Sequence, residues 1–489
     1  MTLKVELIEK NKLRWVYVLS ALFIALNAYL VVKEHYWGFL LPVVLALLLL
    51  YVYSLDKVLL IITFLTPLAI NVRDFEYNLG ISLPTEPLLF GVLLFFLFRV
   101  LYENDFDKRA SRHPVSLAIY IYLAWMLITT FTSELPWVSV KFFVARLWFV
   151  IPFFFIATQL FKNPANVKRF IWLYTIPLSG VVIYTLYKHS LWGFAEDPGH
   201  WVMSPFFNDH TAYGAVLAMY IPVLFGMMFS KHYTRTLHLF CFLFFVILGV
   251  GIFFSFSRAA WLSLAFGAAI LIIILLKIRF RTLALVFLGV VVVFSVFQDQ
   301  IFQRLEKNKQ DSSSNLVEHV QSIANITTDA SNLERINRWK SAIRMFSERP
   351  VLGWGPGTYQ FLYAPFQNSQ ERTIISTNAG DRGNAHSEYI GPLSESGFPG
   401  MLSFIAVVVL IIYTGLKVWQ RAADKDIRLM SLLIVLGLFT YLVHGFLNNF
   451  LDSDKASVPF WGFAAVLVSF DLYAARREIP ARKTSSPGK

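Results

Sequence analysis

Cys241 is the only cysteine among 489 residues, and it lies inside an apolar run. No intrachain disulfide can form, and no thiolate cluster can hold a metal. Charge is scarce too: Asp, Glu, Lys and Arg make up 15% of the chain, against roughly a quarter in soluble domains. The ten histidines are scattered, with no HExxH pair and no aspartate-rich loop, so no metal site is expected. Neither a P-loop nor a GxGxxG fingerprint occurs, which argues against ATP or a dinucleotide, and no cofactor is expected. An enzyme of this composition must draw its driving force from a donor that arrives already activated.

What fills the chain is hydrocarbon: 56% of residues are apolar and the mean hydropathy is +0.57. The runs are continuous rather than alternating, which excludes a closed barrel, and each is long enough to cross a bilayer as a helix. Fourteen candidate spans fall near 15–32, 37–55, 58–72, 87–102, 115–133, 142–160, 170–188, 211–230, 237–255, 259–276, 281–297, 398–417, 429–447 and 457–474. The fold expected is therefore all-α, a polytopic membrane protein of about 12–14 transmembrane helices with one large outer loop containing short amphipathic helices. Its divisions are a helical bundle over 1–297, the loop over 298–397, further spans over 398–476 and a disordered tail over 477–489.

The net charge of +12 does not imply nucleic acid. Lys and Arg cluster in short loops on alternate sides of the spans, for example Lys108, Arg109 and Arg112, then Lys162, Lys168 and Arg169, then Lys417, Arg421, Lys425 and Arg428. The positive-inside rule makes that side cytoplasmic and puts the 298–397 loop outside. The N-terminus lacks a signal-peptide cleavage site, so the first span should be retained. The partner in common to every reading is the lipid bilayer.

The loop carries two blocks, Leu333–Tyr359 and Gly383–Gly400. Leu333, Ile336, Trp339, Ile343 and Phe346 recur at three and four residues, the period of an amphipathic helix, with Asn332 as its N-cap and Pro350 as its stop. A turn, VLGWGPGTY, follows, and its three glycines permit backbone angles closed to other residues. A second short helix is expected over 385–396.

Several side chains could carry chemistry. Arg258 follows FFSFS at an outer span end, where a guanidinium is costly unless paired or wet, and the plainer alternative is snorkelling into the interface. His386 has a side chain suited to taking a proton from a hydroxyl near neutral pH, although a lone loop histidine is usually an ordinary polar residue. Glu388 could orient it or bind an acceptor, and Glu395 could do so less directly. Arg335 and Arg338, three apart on the helix, could converge on a diphosphate or simply form a solvated face. Arg73 is a weaker phosphate candidate. His210 and Asn208, with His444, Asn448, Asn449 and Asp452, are polar groups near outer span ends that could line a sugar cavity or satisfy helix ends.

Three blocks carry a resemblance: SFSRAAWLSL (255–264), ERINRWKSAIRMFSERPVLGWGPGTYQF (334–361) and NAHSEYIGPLSESGFPGMLSF (384–404). In order and spacing they resemble the O-antigen ligase and Wzy-type polymerase superfamily. Ser257-Arg258, Arg335 and Trp339 before the turn of Pro350, Gly353 and Gly355, His386, and Glu395 with Gly397 are the matching positions. That family has about twelve spans where fourteen are counted here. The resemblance implies a metal-independent, inverting glycosyltransferase working at the periplasmic face of the bacterial inner membrane. Its donor would be a glycan on undecaprenyl diphosphate, held by Arg258 with Arg335 or Arg338. Its acceptor would be lipid A–core or another glycan, deprotonated by His386. Ligase is the leading form, and a polymerase or a protein O-oligosaccharyltransferase shares the same donor machinery. A polysaccharide flippase, the non-enzyme alternative, would show repeat symmetry and charges buried at mid-membrane.

Overall fold

In hydrocarbon every backbone N–H and C=O must find its partner within its own segment, so apolar runs fold as helices. The computed structural model describes residues 2–74, 79–102, 107–231, 233–278, 281–282, 289, 330–372, 376 and 383–474. In chain order its principal elements are α1 (Thr2–Val32), α2 (Leu41–Tyr53), α3 (Leu55–Leu65), β1 (Ile70–Asp74), β2 (Leu79–Leu83), α4 (Thr85–Tyr102) and α5 (Pro114–Phe131). There follow α6 (Pro136–Leu160), α7 (Pro164–Ser190), α8 (His210–Met227), α9 (Arg235–Phe253) and α10 (Arg258–Leu275). The loop helix is α11 (Ala330–Glu348), and the last three are α12 (Ile390–Arg421), α13 (Lys425–His444) and α14 (Asp454–Ala474). Among the described residues ten helices, α1, α5 to α10 and α12 to α14, are long and apolar enough to cross a membrane. The chain is a multi-pass, all-α membrane protein.

Four expectations change. The span expected at 58–72 is not one helix: α3 stops at Leu65, a 3-10 turn holds Pro67, and β1 then pairs antiparallel with β2, Val72 opposite Ile81. Proline lacks the N–H that a continuing helix would need. At 37–55 the apolar helix covers only Gly38–Tyr53. Asn332 is inside α11 rather than capping it, since the helix begins at Ala330. No separate helix forms over 385–396, because α12 begins at Ile390 and runs on through a kink at Gly397 (φ 68°, ψ −175°). The expected span at 281–297 and most of 298–329 lie outside the described residues.

The chain forms two compact units, residues 1–58 and 59–489. In the first, the turn at Tyr36–Leu40 folds against α1 so closely that a Cβ at position 38 would lie 2.6 Å from Asn27 Oδ1 unless that side chain moved. In the second, α14 is the axis, buried along most of its length, whereas α9 and α10 are mostly uncovered and therefore face lipid. Helix α8 packs on α13. Small residues bring their backbones together: a Cβ on Gly437 would lie 2.4 Å from the Met219 carbonyl oxygen, and one on Gly226 would strike Leu433. Without a hydrophobic force between helices in lipid, such close van der Waals approach is what holds them.

Candidate active site

The glycine turn after α11 docks on the kink of α12. Gly353, Gly355 and Gly357 have φ of 66°, 112° and 75°, the left-handed region that favours glycine. The backbones touch: Trp354 N donates to Ser394 O (3.2 Å), Gly355 N to Glu395 O (2.7 Å) and Phe398 N to Pro350 O (2.9 Å). Glu395 Oε1 accepts from Tyr359 N (3.0 Å), so this carboxylate ties the turn to α12. Arg349 closes the outer side, stacked 4.0 Å over Trp354 and paired with Glu134 at 2.9 Å.

Helix α11 turns an unexpected face inward. Glu334, Asn337, Arg338, Ser341, Ala342 and Met345 are buried, while Ile343 of the expected apolar stripe is 48% exposed. A polar face can be buried when most of its groups find partners. Here Arg338 Nε donates to Glu334 Oε1 (2.8 Å) and Arg338 Nη1 to Asn384 O (3.1 Å), while Asn337 Nδ2 donates to Gln367 Oε1 (3.1 Å). Ser376 also bonds Glu334. Ala342 and Met345 pack with Tyr359, Tyr363 and Ala385. Gly383 lies flat against the Arg338 guanidinium, where any Cβ would collide with it.

This network presents His386. Its φ is 48°, the sparsely populated left-handed region, which costs a non-glycine residue of order 1 kcal/mol or more. The conformation is held by His386 N donating to Asn384 Oδ1 (3.1 Å) and by Trp339 Nε1 donating to His386 O (3.4 Å). Burial and then the guanidiniums of Arg338 and Arg335 push its pKa down to about 4, against the pull of Asp209 and a hydrogen bond with Asn448. The imidazole is neutral at pH 7 and can accept a proton.

Other candidates converge on the same end of the bundle. His210, the first residue of α8, stacks on His200 with ring centroids 4.3 Å apart, and lies within electrostatic reach of Asp209, Arg335 and Arg258. His444, at the end of α13, shares Asp209, Arg335 and His210 as neighbours. Arg258 opens α10 behind a turn in which Phe256 has φ 50°. Arg335 and Arg258 thus meet around His210, and Arg335 reaches His386 as well. Arg338 is engaged structurally by Glu334 and Asn384. Arg73 sits opposite Gly80 in the hairpin, and its side chain lies outside those described.

Glu388 points away from this group. Its Oε1 accepts from Tyr441 OH (2.6 Å), Phe450 N (2.7 Å) and Leu451 N (2.9 Å), clamping the 445–453 loop. It also lines a cavity of about 350 Å³, together with Asn208, Asn384, Glu395, Asn449 and Asp452. Reasoning from sequence passed over three participants. Asp209 caps α8 by accepting from Thr211 N (2.7 Å) and Ala212 N (2.8 Å), and its charge reaches three histidines. Arg146, inside α6, donates to Leu451 O (2.7 Å), and Lys455 donates to Ala69 O (2.7 Å). A charge within an apolar run was the available signal for Arg146. Nothing local marked the other two. Among the described residues no cluster could hold a metal ion.

No curated protein matches the chain. A family model does: Wzy_C, described as O-antigen ligase, matches residues 243–405. That stretch contains Arg258, α11, the glycine turn, His386 and the kinked start of α12, and over it the chain is similar to the O-antigen ligase family.

Proposed function

We propose that the protein is a glycosyltransferase of the ligase form, transferring a glycan from undecaprenyl diphosphate to a hydroxyl of lipid A–core at the periplasmic face of the inner membrane. The convergence of His386, Arg335, His210 and Arg258 at one end of the bundle, within the stretch that matches the family, is the observation that carries this reading. Arg335 and Arg258 hold the diphosphate as bidentate forks, with the weaker candidate Arg73 near the hairpin. His386 takes the proton of the acceptor hydroxyl as that oxygen attacks the anomeric carbon. The bond from that carbon to the diphosphate oxygen breaks, its electrons pass to the phosphate, and configuration inverts. The arginines stabilise the charge that develops there.

The electrostatics of His386 suit this order of events. Without a donor, burial and then the guanidiniums keep the imidazole neutral. A bound diphosphate offsets their charge, so His386 becomes a stronger base only when there is something to transfer. Glu388, Glu395 and Arg338 act as positioning residues, fixing the loop and the turn.

The test uses the purified full chain in lipid nanodiscs, a synthetic diphospholipid glycan and a lipid A–core acceptor. Wild type should transfer the glycan and His386→Ala should not. Movement of the donor across the bilayer without transfer, persisting in His386→Ala, would end the enzyme reading. Deletion of the gene separates the forms: free lipid-linked polymer with rough lipopolysaccharide marks a ligase, and core bearing a single repeat marks a polymerase.

A further inference from the structure

Asn384, Ala385, Ser387 and Glu388, on either side of His386, also border the cavity of about 350 Å³, which none of Arg258, Arg335 and Arg338 lines. Among the described residues its charged lining is mostly acidic. Five carboxylates face it (Asp209, Glu388, Glu395, Asp452 and Asp454) against two cations, Arg146 and Lys455. Both cations are engaged: Arg146 donates to Leu451 O, and Lys455 to Ala69 O and Thr66 O. Side-chain amides complete the wall, and the Oδ1 atoms of Asn71 and Asn449 are buried there without a hydrogen-bond partner. A buried acceptor left unpaired costs about 1–3 kcal/mol, a cost that turning either amide toward a ligand hydroxyl in the cavity would offset. Phe142, Phe206, Phe207 and Tyr359 supply flat apolar surface beside them.

We infer that this cavity binds an uncharged, hydroxyl-rich sugar residue of the acceptor and rejects acidic sugars. The inference rests on the glycosyltransferase reading only for the word acceptor; the recognition follows from the cavity itself. Sugar hydroxyls donate to carboxylates and to amide carbonyls, and the C–H faces of a pyranose ring lie on aromatic rings. A uronate or phosphorylated sugar would bring an anion among five carboxylates whose neighbouring cations are already bonded to backbone oxygens, and like charges at close range oppose binding. The cavity volume suits one or two sugar rings.

Saturation-transfer NMR on the full chain in nanodiscs tests this without relying on catalysis, with a methyl hexoside and the matching methyl hexuronide as probes. The hexoside should bind wild type at least about tenfold more tightly than the hexuronide. Asp452→Asn should narrow that ratio severalfold. Asn449→Trp, which fills the cavity, should abolish the hexoside signal while the thermal melt of the protein shows that it remains folded. Equal binding of both probes, no binding of either, or hexoside binding that survives Asn449→Trp would overturn the inference. Loss of hexoside binding with transfer intact condemns the cavity alone, and intact hexoside binding in a wild type that transfers no glycan condemns only the transferase reading.

Discussion

Residues 383–391 run between two surroundings of opposite sign. On one side, Arg335 and Arg338 bear on His386. On the other, Glu388, Glu395 and Asp452 wall a cavity. The cationic side is built from one helix face, α11, whose groups are secured mainly by side chains distant in sequence, Gln367 and Ser376, with the Asn384 backbone carbonyl. The acidic side is built from loop ends, with backbone N–H groups of Tyr359, Phe450 and Leu451 bonding the carboxylates. A polar site can thus be fixed in two ways beside a membrane, by side-chain pairing or by backbone donors, and the two should fail differently.

The largest effect expected is on chemistry. His386→Ala removes the proposed base and should lower kcat by about 10²–10⁴, measured as glycan transfer in nanodiscs, with little change in the thermal melt. A loss under about tenfold would break the assignment of the cationic side as the reacting one.

Stability should distinguish the two arginines of α11. The side chains of Arg338 and Glu334 are 9% and 5% exposed, so Arg338→Met strands a buried carboxylate and should cost about 3–5 kcal/mol. Arg335→Met should leave the melting temperature nearly unchanged and reduce transfer instead. Equal destabilisation by both would remove the distinction drawn here between a structural and a functional arginine.

The turn provides a smaller test. Gly397→Ala puts a Cβ 2.0 Å from the Val351 carbonyl oxygen at a φ of 68°. Such strain should cost about 1–3 kcal/mol and loosen the Glu395 clamp, so urea unfolding should shift while donor binding weakens only modestly. Wild-type stability in this variant would mean that the docking of the turn on α12 contributes nothing.

These contrasts show what a linear chain reveals. Apolar runs, the glycine turn and the three motif blocks were legible because each is local, set by length or by φ at single positions. The buried face of α11 was not, because Glu334, Asn337 and Arg338 are buried only where Gln367, Ser376 and Asn384 come to meet them. Leu333 to Phe346 marked the helix but not its buried face: Leu333, Ile336, Trp339 and Phe346 are half-buried and Ile343 is exposed. Asp209 went unread for the same reason: in FFNDH it is an ordinary N-cap, and only the tertiary approach of His386 and His444 makes it a shared counter-charge. The hairpin β1–β2 was hidden by an apolar stretch that Pro67 divides.

The finest comparison concerns pH. His386, with its pKa pushed down to about 4, stays neutral far below the usual histidine value of about 6.5. Because its folded pKa is depressed, it contributes stability that is present above about pH 6.5 and is lost as pH falls toward 4. Asp452 works the other way: burial, and then Glu388, raise its pKa to about 6, so its contribution is present below about pH 4 and is lost as pH rises through 6. For catalysis only the histidine matters to the base step. At pH 5.5 an unperturbed imidazole would be about one-tenth neutral, whereas this one should be almost wholly neutral. The acid limb of kcat/KM, which reports the free enzyme, should therefore fall near pH 4, and the limb of kcat, which reports the donor-bound enzyme, at higher pH, because the diphosphate offsets Arg335. An acid limb at 6.5 in both profiles would mean that neither burial nor the guanidiniums govern the histidine.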